Sequence, residues 1–538
     1  MPVRLAAARP FAPGAAERLE AVVSKVKGPA PVVVSPADPA SVETDVLALP
    51  AFEDEQIGDG SRLADVAGGE IARACASGEF KGKAFELFFA PLAGEGWRAR
   101  RVVLVGAGKR RDFDADRGRK VAAAVSIAVR ERRLSRLAFV LEAATGEPCL
   151  PGSDAARWAQ VIGEGLAIGA YVDGRHKTVD RPEHTVTDTT IVAPGAGTDR
   201  LPALGEAARR GQILGHCTNL ARELANEPGG ILTPRALVER AADLVAGAGV
   251  AVEALDKAAM AELGMGLLLG VARGSHEPPR LLVLRYEPPE APASPVLGLV
   301  GKGATFDAGG ISLKPARGME RMKDDMSGGA AVICAMRAID ALKALVRVIG
   351  VVPCAENMPG GRAIRPGDVL TGASGKTVEV LDTDAEGRLM LADALWYARR
   401  LGATHLVDVA TLTGACQVAL GQTTSGLMGR PAWWVANVRD VADRAGDRSW
   451  ILPLFEDYRE QLRSEIADIA NVGGRPAGAI TGAMFLREFA GDMPWAHMDI
   501  AGTAWLDEVK PYAPKGPTGV AVRTLAELAF TRAAFVPA

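Results

Sequence analysis

The chain has 538 residues, 48% of them hydrophobic and 24% charged, with 62 Lys and Arg against 65 Asp and Glu and a formal net charge of -3. That length exceeds what one hydrophobic core serves, so two domains are expected. The near balance of charge gives no field for polyanions, which argues against a general nucleic-acid role, and no stretch reaches the ~18 apolar residues of a membrane helix.

The opening MPVRLAAARPFAPG lacks the apolar core of a secretion signal, which sets an expectation of a cytoplasmic protein. Consistent with that, Cys75, Cys149, Cys217, Cys334, Cys354 and Cys416 are widely spaced with no CxxC pair and read as buried free thiols. Up to about residue 200, apolar runs (RVVLVGAG, RLAFVLE, TDTTIVAPG) alternate with Ala-rich helical stretches (GRKVAAAVSIAVRE, AARWAQVIGEGLAIGAYV). This is the pattern of an α/β domain with a parallel sheet. Its VGAGKR at 105–110 has the spacing of neither phosphate-loop motif and reads as a strand-to-helix turn. A polar, Gly-containing stretch from Ala193 leads into a long helix, and the boundary is placed there, giving domains 1–200 and 201–538.

Four segments of the second domain, SPVLGLVGKGATFDAGG, ALVRVIGVVPCAEN, KTVEVLDTDAEG and THLVDVATLTGA, each read as a buried strand ending in a polar or Gly-rich loop. Helices lie between them, around GGAAVICAMRAIDALKA and RLMLADALWYARR, and PPEAPASP before Val296 reads as a surface connection. In an open α/β sheet such loops collect at one crevice. If the strand ends converge, Asp307, Asp325, Asp384 and Glu386 face one another beside Lys302, Lys314 and Arg388. Taken singly, these are ordinary turn or solvated residues. Together, four carboxylates would repel strongly unless divalent cations neutralised them. All-oxygen donors without Cys or His favour Mg²⁺, Mn²⁺ or Zn²⁺, and more carboxylates than one ion takes suggest a metal pair suited to hydrolysis. His497 in WAHMDIAG reads as a satisfied core histidine rather than a ligand.

The motifs VGKGATFDAGGISLKP, MKDDMSGGAAV, DTDAEGRLMLADAL, VDVATLTGA and WAHMDIAGTAW, in this order, resemble those of the cytosolic leucyl aminopeptidase family, as do ARELANEPGGILTP and PPRLLVLRY. The resemblance implies a macro-like N-terminal α/β domain with an oligomeric or regulatory role. It implies a larger catalytic α/β domain with a mixed, mostly parallel sheet, and a homohexamer acting on peptides. By the same resemblance Asp307 and Glu386 would bridge a pair of Mn²⁺ or Zn²⁺ ions, with Lys302 and Asp325 completing one site and Asp384 the other. A hydroxide bridging the metals would attack the peptide bond after an N-terminal Leu, Met or other mainly apolar residue. Lys314 would polarise the carbonyl, and Arg388 would hold a bicarbonate acting as general base. Met322, Thr411, Leu412, Ala501 and Ala504 would line the pocket for the first side chain. Asp382 stands where the family usually has Asn and Ala308 where it often has Ser, which alters tuning and removes no ligand. The competing readings are a non-catalytic hexameric DNA-binding scaffold and a DxD-type Mg²⁺ phosphatase with Asp382 as nucleophile. The second leaves Lys302, Asp307 and Asp325 unexplained.

Overall fold

A computed structural model describes residues 31–55, 67–92, 96–141, 149–151, 154–181 and 184–537; the opening stretch read above for targeting lies outside them. The N-terminal domain is built on β1 (Val33–Ser35), β2 (Val46–Phe52), β3 (Leu87–Pro91), β4 (Arg101–Gly108), β5 (Arg136–Val140) and β6 (Asp188–Val192). They run in the order β1-β6-β5-β2-β4-β3, with β3 antiparallel to β4 and the other neighbours parallel. Side chains alternate across the sheet. Val46, Val103, Val105, Leu137 and Phe139 meet the helices Ala115–Glu131 and Ala155–Gly169, whereas Leu47, Ala138 and Val140 pack on the other face. Both helices begin at an aspartate, Asp114 and Asp154, whose carboxylate accepts the N–H of Arg117 (2.8 Å) and Arg157 (2.9 Å). The VGAGKR segment is, as expected, the end of β4 and a turn.

The helix Leu201–Asn226 joins this domain to the next, packing against Ala155–Gly169 on one side and the helix Ser327–Ala341 on the other. The C-terminal domain holds β7 (Val250–Leu255), β8 (Arg280–Tyr286), β9 (Val296–Gly301), β10 (Gly303–Asp307), β11 (Arg347–Asn357), β12 (Val369–Thr371), β13 (Thr377–Glu379), β14 (His405–Ala410), β15 (Ser425–Arg430), β16 (Ser449–Ile451), β17 (Ile469–Ala470) and β18 (Trp495–Asp499). The main sheet runs β16-β15-β18-β14-β9-β11-β8-β7, with β10 paired to β11. At its centre β18, β14, β9 and β11 are parallel, so their carboxyl ends share one edge. The helix Ser327–Ala341 is apolar over most of its surface because it is covered up to its last turn, where Arg337 and Ala341 reach solvent: Ile333, Met336 and Ile339 are fully buried. Each such side chain is worth roughly 1.5–3 kcal/mol.

Two details differ from the sequence reading. The segment expected to be one strand and a loop is two successive strands: after Gly301 the chain steps across, Lys302 N–H donating to the Val409 carbonyl (3.0 Å), and β10 resumes pairing along β11. And TVEV does not join the main sheet. β13 lies in a three-stranded sheet with β12 and β17, and its Val378 is buried with Val380 in the core cluster that also takes Leu389, Leu391 and Leu395 of the helix Glu386–Arg400. Among the thiols, Cys217, Cys334, Cys354 and Cys416 are buried and free as expected, while Cys75 and Cys149 are partly exposed.

Asp393, buried in the helix Glu386–Arg400, accepts the N–H groups of Leu267 (3.0 Å), Leu268 (3.0 Å) and Ala373 (2.8 Å). Burial nevertheless pushes its carboxyl from 3.8 up to about 7. A folded pKa above the unfolded one gives a contribution that is complete below about pH 4 and lost as pH rises through about 7. Asp393→Asn imitates the protonated acid. Urea unfolding at both ends of this window is expected to show wild type losing about 2–4 kcal/mol relative to the variant on going from acid to alkaline pH.

Candidate metal centre

Lys302 follows β9, Asp307 ends β10, Asp325 closes the turn before the helix Ser327–Ala341, and Glu386 opens the helix Glu386–Arg400 with Asp384 just ahead of it. The loops carrying them are tied to one another. Gly309 and Gly310, at φ 88° and 64°, turn the chain back directly after Asp307. A side chain at Gly309 would stand 2.8 Å from Asp384 Oδ1. Thr383 Oγ1 donates to the Gly309 carbonyl (2.7 Å) and accepts from Ser312 N (2.8 Å), while Ser312 Oγ accepts from Thr383 N (3.2 Å). Asn357, at the end of β11, donates from Nδ2 to Asp307 Oδ1 (2.8 Å) and the Thr383 carbonyl (2.9 Å). Asn471 holds the acidic loop from behind: its Nδ2 donates to the Asp382 carbonyl (2.6 Å), and its Oδ1 accepts from Leu381 N (2.8 Å).

The predicted charges converge. Asp307, Asp384 and Glu386 each bring a carboxylate oxygen within 4.8 Å of the others. Lys302 Nζ lies 2.7 Å from Asp325 Oδ1 and 2.8 Å from Glu386 Oε1, and Lys314 Nζ lies 2.7 Å from Asp307 Oδ2 and 2.5 Å from Asp384 Oδ1. Lys302, Asp307, Asp325 and Glu386 are all 5% exposed or less. Burial, together with the like charges of Glu386 and Asp307, raises the Asp325 carboxyl far above its ordinary range against the pull of Lys302. Glu386 is raised by burial and Asp307, and Asp384 likewise. Burial alone would lower both lysines, yet the surrounding carboxylates hold them above the usual ammonium range. The acids are thus short of positive charge even with two ammonium groups among them.

Orphaned oxygens make the same point. Asp325 Oδ2, Asp384 Oδ1 and both Glu386 oxygens are buried and accept no hydrogen bond; Asp384 Oδ1 has only its ion pair with Lys314 and Glu386 Oε1 only its ion pair with Lys302. Convergent, unsatisfied carboxylate oxygens with one lysine nitrogen are a donor set that fits divalent cations. Gly387 sets the spacing. A Cβ there would fall 2.6 Å from Lys302 Cε and 2.9 Å from its Nζ, so the lysine would have to withdraw. Gly387→Ala is expected to weaken metal affinity about 10- to 100-fold with little change in unfolding midpoint, measured by chelator competition and thermal melts.

Arg388 is buried beside this group, donates to the Asn471 carbonyl (2.9 Å), and has an unpartnered Nε. Thr411 Oγ1 donates to Asp325 Oδ1 (2.7 Å), and its carbonyl accepts from Lys302 Nζ (3.0 Å). Leu412 N (3.3 Å) and Ala501 N (3.1 Å) both donate to Asp499 Oδ1. Met322 is half-buried in the turn Met319–Asp324, and Ala504 is buried in the core. Asp382 Oδ1 accepts the Asp384 N–H (2.9 Å), so the carboxylate proposed as a phosphatase nucleophile is engaged within its own loop. His497 is only half satisfied. Its Nδ1 pairs with Asp408 (2.6 Å), but the buried Nε2 has no partner, and Asp408 raises its pKa against the effect of burial. Sequence reasoning missed Asn357, Thr383, Asn471 and Asp499. For Asp499 a signal existed, a carboxylate ending the apolar strand WAHMD.

The model of the cytosol aminopeptidase family's catalytic domain matches residues 219–526, and that of its N-terminal domain matches residues 48–180. A probable cytosol aminopeptidase of Solibacter usitatus (strain Ellin6076) is 50% identical over 488 residues, covering 91% of this chain and 96% of the relative. Another, of Koribacter versatilis (strain Ellin345), is 44% identical over 508 residues, covering 92% and 98%. Among solved structures, the bottromycin maturation enzyme BotP in complex with Mn superposes with a TM-score of 0.78 at 36% identity, covering 90% of this chain and 99% of that one. A point mutant of tomato leucine aminopeptidase gives a TM-score of 0.83 at 31% identity, covering 94% and 97%. With a buried carboxylate cluster built for cations and matches spanning both domains, the chain belongs to the cytosol aminopeptidase family and is a metal-dependent peptidase.

Proposed function

We propose that this protein removes N-terminal Leu, Met and other mainly apolar residues from peptides, using a pair of Mn²⁺ or Zn²⁺ ions. The observation that carries the reading is the set of buried carboxylate oxygens around Lys302: Asp325 Oδ2 and Glu386 Oε2 have no partner, and Glu386 Oε1 and Asp384 Oδ1 have only a lysine ammonium each. Asp307 and Glu386 would be shared between the ions, Lys302 and Asp325 would complete one site, and Asp384 the other. When bound, such ions lower the pKa of a water and polarise the scissile carbonyl. Lys302 would hold an ion only through a neutral nitrogen, so that metal loading would release its proton and metal affinity would depend on pH.

Lys314, 21% exposed at the edge of the cluster, presents its ammonium group to the oxyanion that develops on the carbonyl. Arg388, with Nε free, holds a bicarbonate as general base for the attacking water. Thr411 positions Asp325, and together with Met322, Leu412, Ala501 and Ala504 it forms the pocket for the first side chain. A methylene in such a pocket is worth only ~1–3 kcal/mol, so preference is graded rather than strict. Domains 1–200 and 201–538, a homohexamer and a cytoplasmic location complete this reading on the family resemblance. Among the described residues, nothing favours the DNA scaffold.

The test is release of p-nitroaniline from leucine p-nitroanilide by chelator-stripped protein given back Mn²⁺ or Zn²⁺, beside an N-acetylated control. Metal-dependent cleavage of the free-amine substrate alone supports the reading. Equal cleavage of the acetylated substrate overturns it.

A further inference from the structure

The N-terminal and C-terminal domains enclose a cavity of about 250 Å³ away from the carboxylate cluster. Arg119, Lys120, Arg222, Arg448 and Arg523 face it, against the carboxylates of Asp116 and Asp447. Of these, Arg523 is paired with Asp447 (2.9 Å), Lys120 with Asp116 (2.6 Å) and Arg119 with Glu164, which leaves Arg222 and Arg448 in excess.

The contacts of Arg222 and Arg448 do not neutralise them, and Arg119 keeps a free donor beside its ion pair. Arg222, 2% exposed, donates to the Pro517 carbonyl (2.9 Å) and Asn219 Oδ1 (3.2 Å) and lies over the Tyr171 ring, with no ion pair to a carboxylate among the described residues. Burial lowers its pKa to about 10, which keeps it charged at neutral pH. Arg119, 4% exposed, pairs through Nε with Glu164, but its buried Nη1 donates to nothing, the Asp116 carboxylate standing 3.9 Å away. Gly446, at φ 79°, gives that Nη1 its room, since a Cβ there would collide with it. Arg448 is exposed and pairs with no carboxylate among the described residues. Ile168, Leu506, Val520 and Tyr512 add apolar wall.

Surplus guanidinium charge, buried at a domain junction with an unused donor, is costly unless an anion meets it. Guanidinium forks match phosphate oxygens, and the volume and apolar wall suit a small body attached to one. We propose that this cavity is a binding site for a small organic phosphate with an apolar or aromatic body. Arg119, Arg222 and Arg448 take the phosphate, while Ile168 and Tyr512 pack against the body, so that one ligand touches both domains.

Isothermal titration of the full-length protein with phenyl phosphate, inorganic phosphate and phenylacetate tests this, on wild type, on Lys120→Ala/Arg448→Ala and on Arg448→Glu. These positions are solvent-accessible and outside the metal centre, so unfolding midpoint and peptidase activity without ligand are expected to be unchanged. The expected result is binding of phenyl phosphate in preference to the other two, weakened about tenfold or more in both variants. Absence of binding to wild type overturns the proposal. So does unchanged affinity in the variants, which would place the anion at the metals, and so does phenylacetate binding as tightly as phenyl phosphate.

Discussion

Glu386→Gln is expected to lower kcat/KM for leucine p-nitroanilide about 100- to 1000-fold, the several kcal/mol that a misplaced metal pair withdraws from the transition state. Glu386 is 1% exposed, both its oxygens lack hydrogen bonds, and it stands 2.8 Å from Lys302. Glutamine keeps the volume but brings an amide where a charged acceptor is needed. Its effect on stability has the opposite sign. Burial and the neighbouring Asp307 carboxylate raise the Glu386 pKa, so ionising it is unfavourable in the metal-free fold. The metal-free variant should therefore melt no lower than wild type, while the upward shift of the melting temperature on adding Mn²⁺ shrinks. Loss of activity with an undiminished metal-induced shift would remove Glu386 from the ligand set.

Lys314→Ala is expected to cut kcat about 100- to 1000-fold, with KM changed far less and metal content retained. The ammonium group lies 2.7 Å from Asp307 and 2.5 Å from Asp384, and removing it leaves those carboxylates facing each other with less positive charge between them. Metal affinity should hold or rise, measured by chelator competition, even as turnover falls. A structural cation would behave otherwise, with metal content and kcat declining together.

The site was legible in the sequence because its charged members sit in short contiguous loops next to glycines. Lys302 to Lys314 form one such stretch and Asp384 to Arg388 another, and the only inference needed was that strand ends converge. The residues that hold those loops carried no such signal. Asn471 reaches the Asp382 loop from about 90 positions away, and Asn357 reaches Asp307 from 50, each as an isolated amide that looks like any turn residue. Strand placement failed for a related reason. TVEV has the alternation of a strand, but alternation does not say which sheet a strand joins, and this one pairs with β12 and β17 in the side sheet. In the N-terminal domain, β1, β2 and β3 went unread. β1 has only three residues, Pro50 interrupts β2, and Glu86 and Pro91 flank or end β3, whose Leu87, Phe88 and Phe89 are only half-buried.

The most direct measurement is a Mn²⁺ titration of chelator-stripped protein, with bound metal counted by elemental mass spectrometry and leucine p-nitroanilide turnover read from the same samples. Saturation near two ions per chain, with turnover rising only as metal binds, is the expected result. Full turnover by metal-free protein, or saturation with no ion held by the wild-type chain, would contradict the claim that these carboxylates exist to hold catalytic cations.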